Sequence, residues 1–201
     1  MELVDWARTG KVHKCPGAVY NESDMKTTKK IMILLLVVIL VLVLDQATKQ
    51  VAQAALASRP MQSFLGDTFR LVYSENTGAF LGLGASLPQW LRVWALVVAN
   101  SVVLLGVLVF LLRTRELPLA GLVAGALLIA GGIGNIIDRV AHDGRVVDFM
   151  NIGIGPLRTG IFNVADLAIV VGVGLLVVWA LWEGKRERAG KAEIKEAADD
   201  R

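Results

Sequence analysis

Asp148 and Asp166 stand eighteen residues apart in a chain otherwise built of long apolar runs. Asp148 closes Val146-Val147-Asp148-Phe149; Asp166 ends Phe162-Asn163-Val164-Ala165-Asp166, just ahead of the apolar run Leu167–Val171. A carboxylate at the mouth of a lipid-embedded helix is costly to place, so its presence points to function. Two close carboxylates do not ionise together, and one keeps a proton. The ionised member can then draw a proton from water while its partner donates one to a carbonyl oxygen. The stretch between them holds three glycines and Pro156, enough freedom to fold back and set Asp148 opposite Asp166. Asn163 lies three residues before Asp166. It shares a helix face with it if the helix already starts there, and its amide can then orient the carboxylate.

Other polar residues interrupt the apolar runs. Asp45 and Lys49 are four apart and share a helix face, either as a snorkelling ion pair or as part of a polar pocket. Asn76, Thr77 and Gly78 follow the β-prone stretch Phe69–Tyr73. They suit a plain turn, and the glycines Gly78, Gly82 and Gly84 also suit a loop lying against substrate or lipid. Asn135 and Asp138 are three apart, with Arg139 next in the chain. Gly121, Gly125, Gly131, Gly132 and Gly134 stud the preceding run at spacings that let membrane helices approach closely.

Four apolar segments must position these residues. Val93–Leu112, Leu117–Ile137 and Leu167–Trp182 carry no charge, and a first run from Ile31 is apolar to Leu44. A spanning helix needs about 20 such residues, and only helices or closed barrels satisfy their backbone in lipid. No barrel-like alternation is present, so four transmembrane helices are expected. Lys26, Lys29 and Lys30 precede the first span, Arg113 and Arg115 fill the turn between the second and third, and Lys185, Arg186 and Arg188 follow the fourth. The positive-inside rule puts all three clusters, and both termini, in the cytoplasm. The loops around 58–89 and 138–160 then face outward. Residues 1–24 read as a polar, disordered extension ahead of a membrane-protein start at Met25. Residues 25–183 read as one membrane domain, and residues 184–201 as a charged cytoplasmic tail, either a frayed helix or disordered.

Composition narrows the chemistry. Mean hydropathy is +0.58 and 55% of residues are hydrophobic, too apolar for an ordinary soluble domain. A net charge of +3 gives nucleic-acid binding no electrostatic footing. One cysteine, Cys15, and two histidines, His13 and His142, argue against a disulfide or a Cys/His metal centre. A proton-coupled carrier is one rival reading, but its carboxylates belong near the bilayer midplane. A non-catalytic assembly or lipid-binding protein is another. A serine protease using Ser101 and Lys49 is weaker, because no motif surrounds that serine.

Asp45-Gln46-Ala47-Thr48-Lys49, Asn76-Thr77-Gly78-Ala79-Phe80, Gly134-Asn135-Ile136-Ile137-Asp138-Arg139, Val146-Val147-Asp148-Phe149 and Phe162-Asn163-Val164-Ala165-Asp166 resemble, in order, the signature boxes of the bacterial lipoprotein signal peptidases (signal peptidase II). The resemblance covers about Met25 to Trp182. It implies four membrane helices with a small extracytoplasmic β-like cradle built here around Phe69–Tyr73. It implies an intramembrane aspartic endopeptidase of the bacterial inner membrane that cuts diacylglyceryl-modified prolipoproteins just before the lipidated cysteine. Asp148 and Asp166 take the positions of the catalytic pair, near the extracytoplasmic face. Asp45, Lys49, Asn76, Gly78, Asn135, Asp138, Arg139 and Asn163 take those of supporting or substrate-binding residues. No metal and no cofactor is implied. Membrane lipids and the lipidated precursor are the expected partners, and a monomer the expected state.

Overall fold

The computed structural model describes residues 27–78, 88–114 and 117–199. The extension over residues 1–24, together with Gly82, Gly84 and Arg115, lies outside them. In chain order the elements are α1 (Thr27–Leu56), β1 (Gln62–Phe64), β2 (Phe69–Asn76), α2 (Gln89–Arg113), α3 (Leu119–Ala141), β3 (Val146–Ile154), β4 (Leu157–Arg158) and α4 (Val164–Asp199). All four helices are long and apolar enough to cross a membrane, with α4 doing so over Val164–Lys185. The charged tail after Glu183, read as a frayed helix or disordered, continues α4 as helix to Asp199.

α3 is the central helix. Gly121, Ala124, Gly125, Ala126, Ala130, Gly131, Gly132 and Gly134 are all buried on it. Leu35, Leu36 and Val43 on α1, Val102 and Val103 on α2, and Val170 and Val178 on α4 are exposed, as lipid-facing residues must be. Small residues let the neighbours come close. A Cβ added to Gly131 would stand 2.3 Å from the carbonyl oxygen of Ala165 on α4, and one at Gly132 would strike Leu104 of α2 at 2.5 Å. The Ala165 contact is backbone and cannot swing aside. Gly131→Ala should therefore part α3 from α4 and cost about 1–3 kcal/mol of stability; thermal unfolding in detergent against the wild type measures it.

One end of the bundle is tied by Lys30, whose Nζ donates to the carbonyl oxygen of Thr114 just past α2 at 2.9 Å. The opposite end carries the sheet. Its strands lie in the order β1-β2-β3-β4, all neighbours antiparallel. The sequence pointed to a short strand near Phe69–Tyr73, and β2 runs on from there to Asn76. It had the segment after Asp148 fold back to set Asp148 opposite Asp166; Asp148 lies within β3, paired opposite Ser74. Side chains alternate along a strand, so Phe149 turns away from Asp148. Phe149 packs with Ala52 and Leu56 of α1, with Leu71, Tyr73 and Val164 around them. That small core fixes the sheet on the last turns of α1. Asp45 lies about 27 Å along α1, close to the limit of a hydrocarbon core about 30 Å thick.

Candidate active site

Asp148 and Asp166 meet where β3 passes the start of α4. Asn163 would share a helix face with Asp166 only if the helix already started there; α4 starts at Val164, and Asn163 stands just before its first turn, as its N-cap. Its Oδ1 accepts from the N–H of Asp166 at 2.9 Å, and the Oδ2 of Asp166 accepts from the N–H of Asn163 at 3.2 Å. This is a reciprocal capping box, with Asp in the place usually held by Glu. The local sequence therefore sets the orientation of Asp166: it closes the cap and starts the helix at once.

The same asparagine reaches the second carboxylate. Its Nδ2 donates to Oδ1 of Asp148 at 2.7 Å and to the carbonyl oxygen of Val147 at 3.3 Å. The Oδ2 of Asp148 accepts from Nδ2 of Asn76 at 3.0 Å. Asn135 Nδ2 donates to Oδ1 of Asp166 at 2.8 Å, and its own Oδ1 accepts from Asn163 at 3.2 Å. Three asparagines thus hold two carboxylates, and Asn163 touches both. Burial is close to complete for Asn163 (0% exposed) and Asp148 (2%), whereas Asp166 is half-buried.

Burial pushes Asp148 up to about 6, against the hydrogen bond from Asn76 that favours its charged form. The negative charge of Asp166 pushes the same way as burial, while Asn163 and Lys49 oppose it. A carboxyl in this range can take and release a proton near neutral pH. Beside it opens a groove of about 410 Å³ lined by Ser74, Glu75, Asn76, Thr77, Asp148, Gly160 and Ile161. Thr77 belongs to the Asn76-Thr77-Gly78 motif, whereas Ser74, Glu75, Gly160 and Ile161 lie outside the motif boxes of the sequence.

The remaining site residues gather around this pair. Asn76 ends β2, and its Oδ1 accepts from the N–H of Gly78 at 2.9 Å, so the expected turn is present and also aims Asn76 at Asp148. Gly78 has φ +68, and a Cβ there would stand 2.9 Å from Leu96 and 3.5 Å from the guanidinium of Arg139. Arg139 donates to the carbonyl oxygen of Asn135 at 3.1 Å, and its Nε is buried without a partner among the described residues. Asp138 finds its ion-pair partner on another helix and not in its chain neighbour Arg139. Asp138 pairs with Lys49 at 3.0 Å, and Lys49 pairs with Asp45 at 2.7 Å. Gln46, unremarked within the Asp-Gln-Ala-Thr-Lys box, donates to Asp138 at 3.0 Å. Among the described residues, no three His, Cys, Asp or Glu side chains converge as a metal site requires.

Four membrane helices, a small sheet at one end and two carboxylates under a shared asparagine define a multi-pass membrane protein with a paired-aspartate site. Comparison with known proteins assigns it further. Residues 37–182 match the family described as Signal peptidase (SPase) II. The chain is 41% identical over 159 residues to the lipoprotein signal peptidase of Sphingopyxis alaskensis, covering 78% of this chain and 88% of that one. It is 34% identical over 149 residues to that of Brevibacillus brevis, covering 74% and 94%. A solved bacterial membrane enzyme, determined by the in meso method at 2.3 Å, superposes with a TM-score of 0.62 at 28% identity over 79% of this chain and 91% of that chain. A second, at 1.9 Å, gives 0.63 over 77% and 93%. The chain belongs to the signal peptidase II family, and it is a protease of the membrane.

Proposed function

We propose that the protein removes signal peptides from diacylglyceryl-modified prolipoproteins, cutting before the lipidated cysteine, with Asp148 and Asp166 as its catalytic pair. The observation that carries the pairing is Asn163, which bonds to Asp148 through its side chain and to Asp166 through both backbone and side chain. Asp148, which burial favours protonated, takes the acid's part. Asp166 takes the base's part: it draws a proton from a water whose oxygen attacks the scissile carbonyl carbon. Asp148 gives its proton to the carbonyl oxygen. When the tetrahedral intermediate collapses, ionised Asp148 takes back the proton of the hydroxyl that re-forms the carbonyl, the C–N bond breaks, and the amine of the cysteine leaves with the proton held by Asp166. The chain's own groups account for every proton moved, with no covalent enzyme intermediate.

Residues 25–183 form the peptidase unit and 184–201 its cytoplasmic tail. In this reading the Lys30 end of the bundle faces the cytoplasm and the aspartates the outer face, supported by the positive-inside pattern of the sequence. A substrate held by its acyl chains in lipid, as a monomeric enzyme would meet it, arrives beside the groove next to Asp148. The peptide reaches water there without leaving the bilayer. The test is cleavage of one precursor with and without its diacylglyceryl group, by the enzyme in nanodiscs. The lipidated form should be turned over at least about 100-fold more efficiently, since binding energy from a remote anchor is used at the reacting centre. Equal turnover of the two forms refutes the lipid-directed reading.

A further inference from the structure

Beneath the two aspartates lies a second polar cluster, its charged members buried. Asp45 is 0% exposed, Asp138 1% and Lys49 4%. The Nζ of Lys49 stands 2.7 Å from Asp45 Oδ2 and 3.0 Å from Asp138 Oδ2. The Nε2 of Gln46 bridges the same two carboxylates, 3.2 Å from Asp45 Oδ2 and 3.0 Å from Asp138 Oδ1. One oxygen of each carboxylate turns outward to a backbone amide. The N–H of Ala165 donates to Oδ1 of Asp45 at 2.8 Å, and the N–H of Val147 donates to Oδ2 of Asp138 at 3.0 Å. Ala165 is the residue before Asp166, and Val147 the residue before Asp148.

We propose that Asp45, Gln46, Lys49 and Asp138 form a clamp of positioning residues that fixes the distance between the two site aspartates by gripping the peptide N–H one residue ahead of each. The proposal rests on Asp148 and Asp166 being the catalytic pair. Each grip acts one Cα–Cα step from its aspartate, about 3.8 Å away. Because one ammonium and one amide bind both carboxylates, β3 and α4 cannot part without breaking the cluster. Two carboxylates sharing one lysine at the edge of the hydrocarbon core are a poor way to gain stability, since desolvation offsets their attraction. They are a good way to fix two backbones from different elements in one register. Gly134 makes the space for it: a Cβ there would stand 2.7 Å from Asp45 Oδ2.

The experiment measures kcat and KM for a lipidated precursor in nanodiscs, on full-length enzyme whose folding is checked by thermal unfolding. Asp138→Ala removes the grip on Val147, and Asp138→Asn keeps an oxygen that can accept its N–H. Misplacement by about 1 Å costs on the order of 100-fold in rate. Asp138→Ala should therefore lower kcat about 100-fold while KM stays within about 3-fold, and Asp138→Asn should recover kcat to within about 10-fold of wild type. If the folded Ala variant keeps its kcat, or if Ala and Asn lose it equally, the clamp is refuted. Should Asp138→Ala fail to fold, Gln46→Met decides: a kcat lowered about 5-fold at unchanged KM supports the clamp, and an unchanged kcat overturns it. Asp148→Asn runs alongside. If it still cleaves at the wild-type rate, the catalytic pair itself is wrong; if it is dead while the clamp variants keep their kcat, only the clamp is.

Discussion

Asp148→Asn and Asp166→Asn each stop cleavage of a lipidated precursor, lowering kcat by about 1,000-fold or more, with the fold retained. The magnitude follows from the roles. A positioned acid or base contributes about 10²–10⁴-fold, and a water between two carboxylates loses both proton acceptance and donation when either one is replaced. The substitutions are close to isosteric. At position 166 an amide oxygen still accepts one of the bonds from Asn135 and Asn163. At position 148 one of the two bonds from Asn76 and Asn163 faces a donor instead of an acceptor.

The stability of Asp148→Asn carries its own sign. Burial raises Asp148 from 3.8 to about 6, so the folded state binds the proton more tightly than the unfolded one. The ionised carboxylate then weighs against folding, increasingly as pH climbs from about 4 to about 6, and fully above that. Neutral Asn is free of this charge penalty. Thermal unfolding at pH 7.5 should place Asp148→Asn at or near the wild-type midpoint while its cleavage is lost. A variant that cleaves at the wild-type rate removes Asp148 from the catalytic pair; one that is inactive only because it has unfolded leaves the midpoint far below wild type.

The spans were legible because each is a run of apolar residues broken by charge only at its ends, and lipid imposes that pattern directly. The Asp45–Lys49 pair was legible because helix geometry brings residues four apart together. The strand β3 was not. Val146-Val147-Asp148-Phe149 lies between helices in a segment rich in glycine, and a short apolar run cannot be told from a loop or a helix edge by periodicity. Asn163 was seen beside Asp166 but as a helix-face neighbour, because the cap position depends on where the first turn begins. Least legible was the partner of Asp138. Arg139 is its neighbour in the chain, yet Lys49, from another helix, takes the ion pair. Such a choice depends on three-dimensional packing of α1 against α3, which no local spacing encodes. The motif boxes flagged nearly every polar residue of the site, but the bonds among them come only from the fold.

Asn163→Ala separates holding the aspartates from folding the helix. Its side chain is 0% exposed and donates to Asp148, to Asn135 and to the carbonyl oxygen of Val147, while its Oδ1 caps the N–H of Asp166. Loss of the cap alone costs about 0.5–2 kcal/mol. Loss of the donor frees Asp148 to turn away from Asp166, and misplacement on the order of 1 Å costs about 100-fold in kcat. Asn163→Ser tells the two effects apart. Serine is as good a cap as asparagine, but its hydroxyl is one bond shorter in reach and cannot cap Asp166 and donate to Asp148 together. Serine should therefore regain most of the thermal midpoint lost in Asn163→Ala and little of the kcat. If kcat returns along with the midpoint, Asn163 serves the helix only, and the pairing of the two carboxylates must come from Asn135 on one side and Asn76 on the other.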